Sequence, residues 1–408
     1  MGISTELLLI ILCSFVVLSY FFSIASQYIK VPSVLLLLFA GIGLRILADA
    51  NGFQLAIPGN IVQSLGVVGL IMIVLEAGLD LKLGKGKLPL IRRSFFTALL
   101  ILVFSTVMIA ALIYVWLKED IVSCIVYAIP LSIMSSSIVL PSIHSLTEEK
   151  REFLVYEASF SDILGIMFFN YFIAGEILSP GSVGMFGLNL VIAIIASLII
   201  SLLLLLVLAR TKLNVKFFLV FALLILIYSG GKLLHLPSLL IILAFGLMIN
   251  NWELLPVKYF ARSFPRHKVE PIREFMHSIT AESSFLIRTF FFILFGYSID
   301  VRLLQTSETI MVGSGIVIVL FVIRWLYLKY SFHTKVFPEV FFIPRGLITI
   351  VLFYKIPTNL KLSTFNDGIL FFVILSTGII LSIGMILYKK PNDQVIEDPQ
   401  FSERKDLL

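Results

Sequence analysis

Residues Tyr156–Gly175 read YEASFSDILGIMFFNYFIAG. The stretch is apolar enough to lie in a bilayer, yet it carries Glu157 and Asp162. A charge at mid-bilayer costs about 2.5–3.5 kcal/mol on insertion scales, so each intramembrane acid needs a partner or a task. Five helical residues turn the chain by about 140° and advance it by roughly 7.5 Å. The two carboxylates therefore do not form one acidic pair on one face, and they have different neighbours and different roles.

Outward from this segment, apolar runs of about 18 residues or more recur along nearly the whole chain, each long enough to span a membrane as a helix. With 59% hydrophobic and 14% charged residues among 408, and a mean hydropathy of +1.05, a soluble globular class is excluded. The fold class is all-α and polytopic. Thirteen spans are expected, at roughly 6–29, 33–50, 60–81, 91–117, 121–146, 152–175, 184–209, 215–234, 237–250, 277–299, 308–330, 338–356 and 367–388, followed by a short tail at 389–408. The opening MGISTE carries no Lys or Arg, and the apolar run behind it is too long for a leader, so it reads as the first span. Cys13 and Cys124 lie in apolar runs without metal-ligand spacing and read as packing residues.

Charge tests the count. With the N-terminus outside and the C-terminus cytoplasmic, 22 of the 31 Lys and Arg fall on the cytoplasmic side, six fall outside, and Arg288, Arg324 and Arg345 fall within spans. That asymmetry is the positive-inside pattern of a multi-pass plasma (inner) membrane protein, and one span too many or too few would scramble it. The net charge of +6 thus follows membrane topology rather than a basic soluble face, and no nucleic-acid partner is expected.

The two halves echo one another. EAGLDLKL (Glu76–Leu83) ends the third span and GYSIDVRL (Gly296–Leu303) ends the tenth, which runs the opposite way. The fifth span is interrupted by AIPLSIMSSSIVLPS and the twelfth by FFIPRGLITI. Proline inside a helix removes a backbone hydrogen bond and frees polar groups at membrane depth. Interrupted helices at matching places in two inverted repeats point to a transporter's binding site; the plainer alternative is two ordinary proline kinks.

Glu157 and Arg324 lie about five and six residues from the cytoplasmic ends of their spans, and equal depth allows a buried ion pair. Snorkelling of either side chain to the surface is the alternative. Asp162 lies deeper, where desolvation disfavours its charged form and lets it exchange a proton for a cation. The other option is an ion pair with Arg288 or Arg345. Glu76 is open between ion ligand and structural partner of an arginine. Arg288 and Arg345 read as structural, because fixed positive charge does not help a cation site. No hydrolase-like arrangement, phosphate loop or metal-ligand cluster is present in the sequence, so neither an enzyme nor a cofactor is expected.

Taken in order, the motifs resemble the monovalent cation:proton antiporter superfamily over essentially the full length. VPSVLLLLFAGIGL (Val31–Leu44) is similar to the start of its second span, and LIMIVLEAGLDLKL (Leu70–Leu83) to its third-span LFEGGL pattern. SIMSSSIVLPSI (Ser132–Ile143) is similar to its broken fifth helix, and EASFSD (Glu157–Asp162) to its sixth-helix ESLFND signature. FFFILFGYSID (Phe290–Asp300) and IPRGLITIVL (Ile343–Leu352) are similar to its tenth span and its GLRGAISLAL twelfth.

The resemblance implies a homodimer in the lipid bilayer, with an interface part near 1–83 and 184–300 and a core near 89–175 and 308–388 that moves against it. It implies that Asp162 binds ion and proton alternately, that Glu157 pairs with Arg324, and that Glu76 and Ser136 stand near the ion; Ser161, beside Asp162, is taken with them as an ion-site candidate. Ser161 stands where relatives carry Asn or Asp, Ala158 where they carry Ser, and Ser137 where many carry an Asp. Lacking the second carboxylate and the Lys of the electrogenic branch, the chain is expected to be an electroneutral antiporter of Na⁺, K⁺ or Li⁺ against H⁺. A cation channel and a non-transporting membrane sensor on the same scaffold are the alternatives.

Overall fold

The computed structural model describes residues 5–51, 59–173, 188, 191–192, 195–204, 217–233, 238–254, 266–332, 336–363 and 365–388. Among these the structure is helical without strands. The helices are α1 (Thr5–Ile29), α2 (Ser33–Ala50), α3 (Gly59–Asp80), α4 (Leu88–Leu117), α5 (Ile121–Ser132), α6 (Ser136–Ser142), α7 (Glu148–Ile173), α8 (Phe217–Leu233), α9 (Ser238–Asn250), α10 (Arg266–Ser298), α11 (Ser307–Phe332), α12 (Leu347–Phe353) and α13 (Asp367–Leu387). Twelve of the thirteen expected spans coincide with these helices, α5 and α6 together making the fifth. The seventh is described only in part, at 188, 191–192 and 195–204, and the tail at 389–408 lies outside the described residues. Six of the described stretches are long and apolar enough to cross a bilayer: Ser33–Ala50, Leu88–Leu117, Ile121–Ser142, Arg273–Ser298, Ser307–Ser331 and Asp367–Leu387.

Helix ends follow local chemistry. Asp120 caps α5, its Oδ2 accepting the N–H groups of Val122 and Ser123 at 3.0 and 3.1 Å, and Asn366 caps α13 by accepting the Ile369 N–H at 3.2 Å. α7 starts four residues before the expected span, with Glu148 and Glu149 in its first turn, where acids favour the positive end of the helix. α10 starts eleven residues early, because its charged first turns continue the helix beyond the apolar run.

Two crossings organise the bundle. α2 packs on α10 and α9 packs on α3. Both contacts are made at glycine: a Cβ on Gly296 would stand 2.5 Å from the Leu38 carbonyl, and one on Gly78 2.8 Å from the Leu243 carbonyl. Small residues let membrane helices approach backbone to backbone, where packing holds them. Second span with tenth and ninth with third is the exchange of partners that a two-fold relation between halves produces.

The fifth and twelfth spans are both discontinuous. α5 stops at Ser132; Ile133 and Ser135 are extended, and α6 begins at Ser136. In the other half a 3₁₀ turn at Glu339–Phe341 leads into a non-helical run, and α12 begins only at Leu347. The two breaks touch: the Ser135 N–H donates to the Pro344 carbonyl at 3.0 Å.

Candidate ion-binding site at two broken helices

Backbone freed from a helix must find partners when it is buried. Here side chains supply them. Arg345 is 2% exposed and donates from Nε to the Leu131 carbonyl (2.7 Å), from Nη2 to the Ser132 carbonyl (3.0 Å) and from Nη1 to the Ile343 carbonyl (2.6 Å). Leu131 and Ser132 are the last residues of α5, where carbonyls lose their helical partners and carry partial negative charge. Arg345 is thus a structural cation held by backbone, with no carboxylate partner among the described residues. Its own N–H donates to Thr377 Oγ1 at 3.2 Å. Sequence reasoning left Thr377 unread, although a hydroxyl in an apolar span is a signal that could have been followed. Met134, in the break, donates its N–H to Ser161 Oγ at 2.9 Å.

Asp162 lies on α7, 3% exposed, beside this junction. Its Oδ2 accepts the Ser136 N–H at 3.3 Å, at the first residue of α6. Its Oδ1 has no hydrogen-bond partner among the described residues, and neither do the hydroxyls of Ser136 and Thr349. No described Lys, Arg or His forms an ion pair with Asp162, so the pairing with Arg288 or Arg345 weighed above does not occur.

The other buried acids differ. Glu157 is held by both guanidinium nitrogens of Arg324, at 2.6 and 3.0 Å, and both residues are 1% exposed. The fork-on-fork geometry supplies two parallel charge-assisted bonds. Arg324 Nε donates to the Glu339 carbonyl at 2.7 Å, which ties the pair to the discontinuous span. Snorkelling is thereby ruled out for both. Glu76 Oε1 lies 3.5 Å from Arg288 Nη2, and its Oε2 has no partner among the described residues. Arg288 also reaches the Ser137 carbonyl at 3.4 Å, a long contact. Glu76 therefore has an arginine neighbour and one free oxygen.

An all-helical membrane protein, with an acid lacking a countercharge buried where two broken helices meet, has the organisation of a secondary transporter. Residues 13–388 match the family described as "Sodium/hydrogen exchanger, transmembrane". The chain belongs to the sodium/hydrogen exchanger family. Its fold is similar to the structure at pH 8 of the sodium proton antiporter MjNhaP1 from Methanocaldococcus jannaschii, with 17% identity over 93% of this chain and 100% of that one and a TM-score of 0.67. An electron-microscopy structure of MjNhaP1 gives 16% identity over 95% and 100% of the two chains, with a TM-score of 0.64. At that identity the likeness is one of fold. No curated protein matches the sequence.

Proposed function

We propose that this protein exchanges a monovalent cation, Na⁺ first with K⁺ or Li⁺ as alternatives, for H⁺, and that Asp162 binds the two in turn. The observation that carries this reading is the difference among the buried acids. Glu157 is neutralised by Arg324 and Glu76 faces Arg288, while Asp162 has no basic partner among the described residues. A carboxylate held in that way stays neutral by taking a proton or by taking a cation. Because the two compete for one group, the exchange is one for one and electroneutral. Ser136 steadies the carboxylate through its N–H, and Glu76 lies near the route to it. Ser161 is partly committed, since its oxygen already accepts the Met134 N–H.

In this reading the core (89–175 and 308–388) moves against the interface part (1–83 and 184–300) of a homodimer, in a plasma membrane with the N-terminus outside. Hydrogen bonds between the two parts would have to break for that movement. Tyr156 donates its hydroxyl to the Lys82 carbonyl at 2.6 Å near one membrane face, and Lys355 donates to the Tyr228 hydroxyl at 2.6 Å near the other. Alternating access would remake each in turn.

The test is exchange in proteoliposomes with an internal pH dye, offering Na⁺, K⁺ and Li⁺ separately. Asp162→Asn is expected to fold and to lose exchange. An Asn variant working at near wild-type rate would remove Asp162 from the centre of the mechanism. Cation flux without proton counter-movement would identify a channel instead.

A further inference from the structure

The start of α4 carries a feature that exchange does not use. Leu88, Pro89, Arg92, Arg93 and Phe96 line an open groove on the outside of the bundle. Its apolar members stay uncovered, Leu88 at 66% and Phe96 at 45% exposure. The Arg92 guanidinium lies over the Phe96 ring at 5.8 Å and has no acidic partner among the described residues. Arg93 is more engaged: it lies over the Phe153 ring at 5.8 Å, within electrostatic reach of Glu149, Glu339 and Tyr327.

A neighbouring helix extends the pattern. α11 packs on α4: Gly315 in its first half meets Leu112 near the end of α4, and Tyr327 near its end lies within electrostatic reach of Arg93 near the start of α4. The two therefore run antiparallel, which brings the end of α11 to the start of α4. There Trp325 and Tyr330 are exposed and Lys329 Nζ lies 4.7 Å over the Trp325 ring. Cations mixed with amphipathic rings at the ends of membrane helices mark the headgroup level of a bilayer. Below that level an apolar groove meets acyl chain, and at it the Arg92 guanidinium meets whatever anion the bilayer presents.

We propose that this groove binds an anionic phospholipid, with Arg92 on the headgroup phosphate and Leu88, Pro89 and Phe96 against the acyl chains. Charge complementarity chooses the occupant. Arginine matches phosphate in geometry as well as charge, and basic pockets on membrane helices recognise acidic headgroups. A zwitterionic lipid would bring its own cation to a surface that already has several. A free phosphate would leave the apolar floor uncovered. The inference needs only that the chain spans a membrane and does not rest on the exchange reading.

The experiment is native mass spectrometry of the full-length protein titrated with phosphatidylglycerol, phosphatidylcholine or inorganic phosphate. Wild type should retain phosphatidylglycerol in preference to phosphatidylcholine. Arg92→Ala should weaken that binding about fivefold, the effect of one basic residue at a membrane surface. Arg92→Lys should keep most of it, and Phe96→Ala should weaken both lipids. Arg92 and Phe96 are exposed, so an unchanged melting temperature in phosphatidylcholine is expected to show that the variants fold. Wild-type phosphatidylglycerol affinity in both Arg92→Ala and Phe96→Ala would overturn the site. Inorganic phosphate displacing the lipid with the same dependence on Arg92 would overturn the lipid assignment in favour of a free anion.

Discussion

Arg324 is a large, fully buried cation whose neighbours are an acid and a carbonyl. Removing one member of such a pair leaves the other charged and unsolvated, a loss of about 3–5 kcal/mol. Arg324→Ala is therefore expected to destabilise strongly, and Glu157→Gln combined with Arg324→Gln to recover part of the loss. Denaturant or thermal unfolding of wild type, Glu157→Gln, Arg324→Gln and the double variant in one detergent measures the coupling, and additive losses would show the two side chains uncoupled. Equal depth along two apolar spans made this pair legible in the sequence. Arg345 was legible only as a structural charge. Its acceptors are the carbonyls of Leu131 and Ser132, groups that no side-chain pattern displays and that become available only because α5 stops there. Asp162 stood out by its depth and by its place in EASFSD, but its lack of a countercharge follows from where Arg288 and Arg345 are spent.

At the scale of elements, the two discontinuous spans hold each other. The Ser135 N–H reaches the Pro344 carbonyl, and two residues later Gly346 lies against the same serine. A Cβ on Gly346 would meet Ser135 Oγ at 2.7 Å and Ile138 Cδ1 at 3.0 Å, so space rather than backbone dihedral requires glycine. Gly346→Ala is expected to cost about 1–3 kcal/mol by overpacking and to slow exchange by shifting α6 away from Asp162. Ser135→Ala in the same chain removes the nearest atom and should restore part of both. Melting temperature and liposome exchange, measured side by side, check the pair; an unperturbed Gly346→Ala protein would show that the two breaks can separate without consequence. Prolines marked both spans in the sequence, but in the fifth Pro130 lies within α5 and Pro141 within α6, and the break falls between them at Ile133–Ser135. The meeting of the interruptions was not written in either segment, because it joins residues more than 200 positions apart.

For the whole molecule, a ligand that binds only the folded chain raises its stability, by about 2.7 kcal/mol at a hundred times its dissociation constant. If one carboxylate serves both cation and proton, Na⁺ stabilises only the form that has lost its proton. The rise in melting temperature caused by Na⁺ should grow as pH increases, shrink as pH falls, and be absent in Asp162→Asn. A pH-independent rise that persists in the Asn variant would point to a different cation site. The sequence by itself determined the class and the layout, the apolar runs and their order, because each run is a local consequence of transferring a helix into lipid. The order of the motifs was enough to indicate the family. Tertiary structure alone decided which arginine meets which acid, that two glycine crossings join α2 to α10 and α9 to α3, and that Asp162 is left with Ser136 and an unpaired oxygen. Helix formation in a bilayer depends on neighbours a few residues away, whereas the charge state of a buried acid depends on everything folded around it.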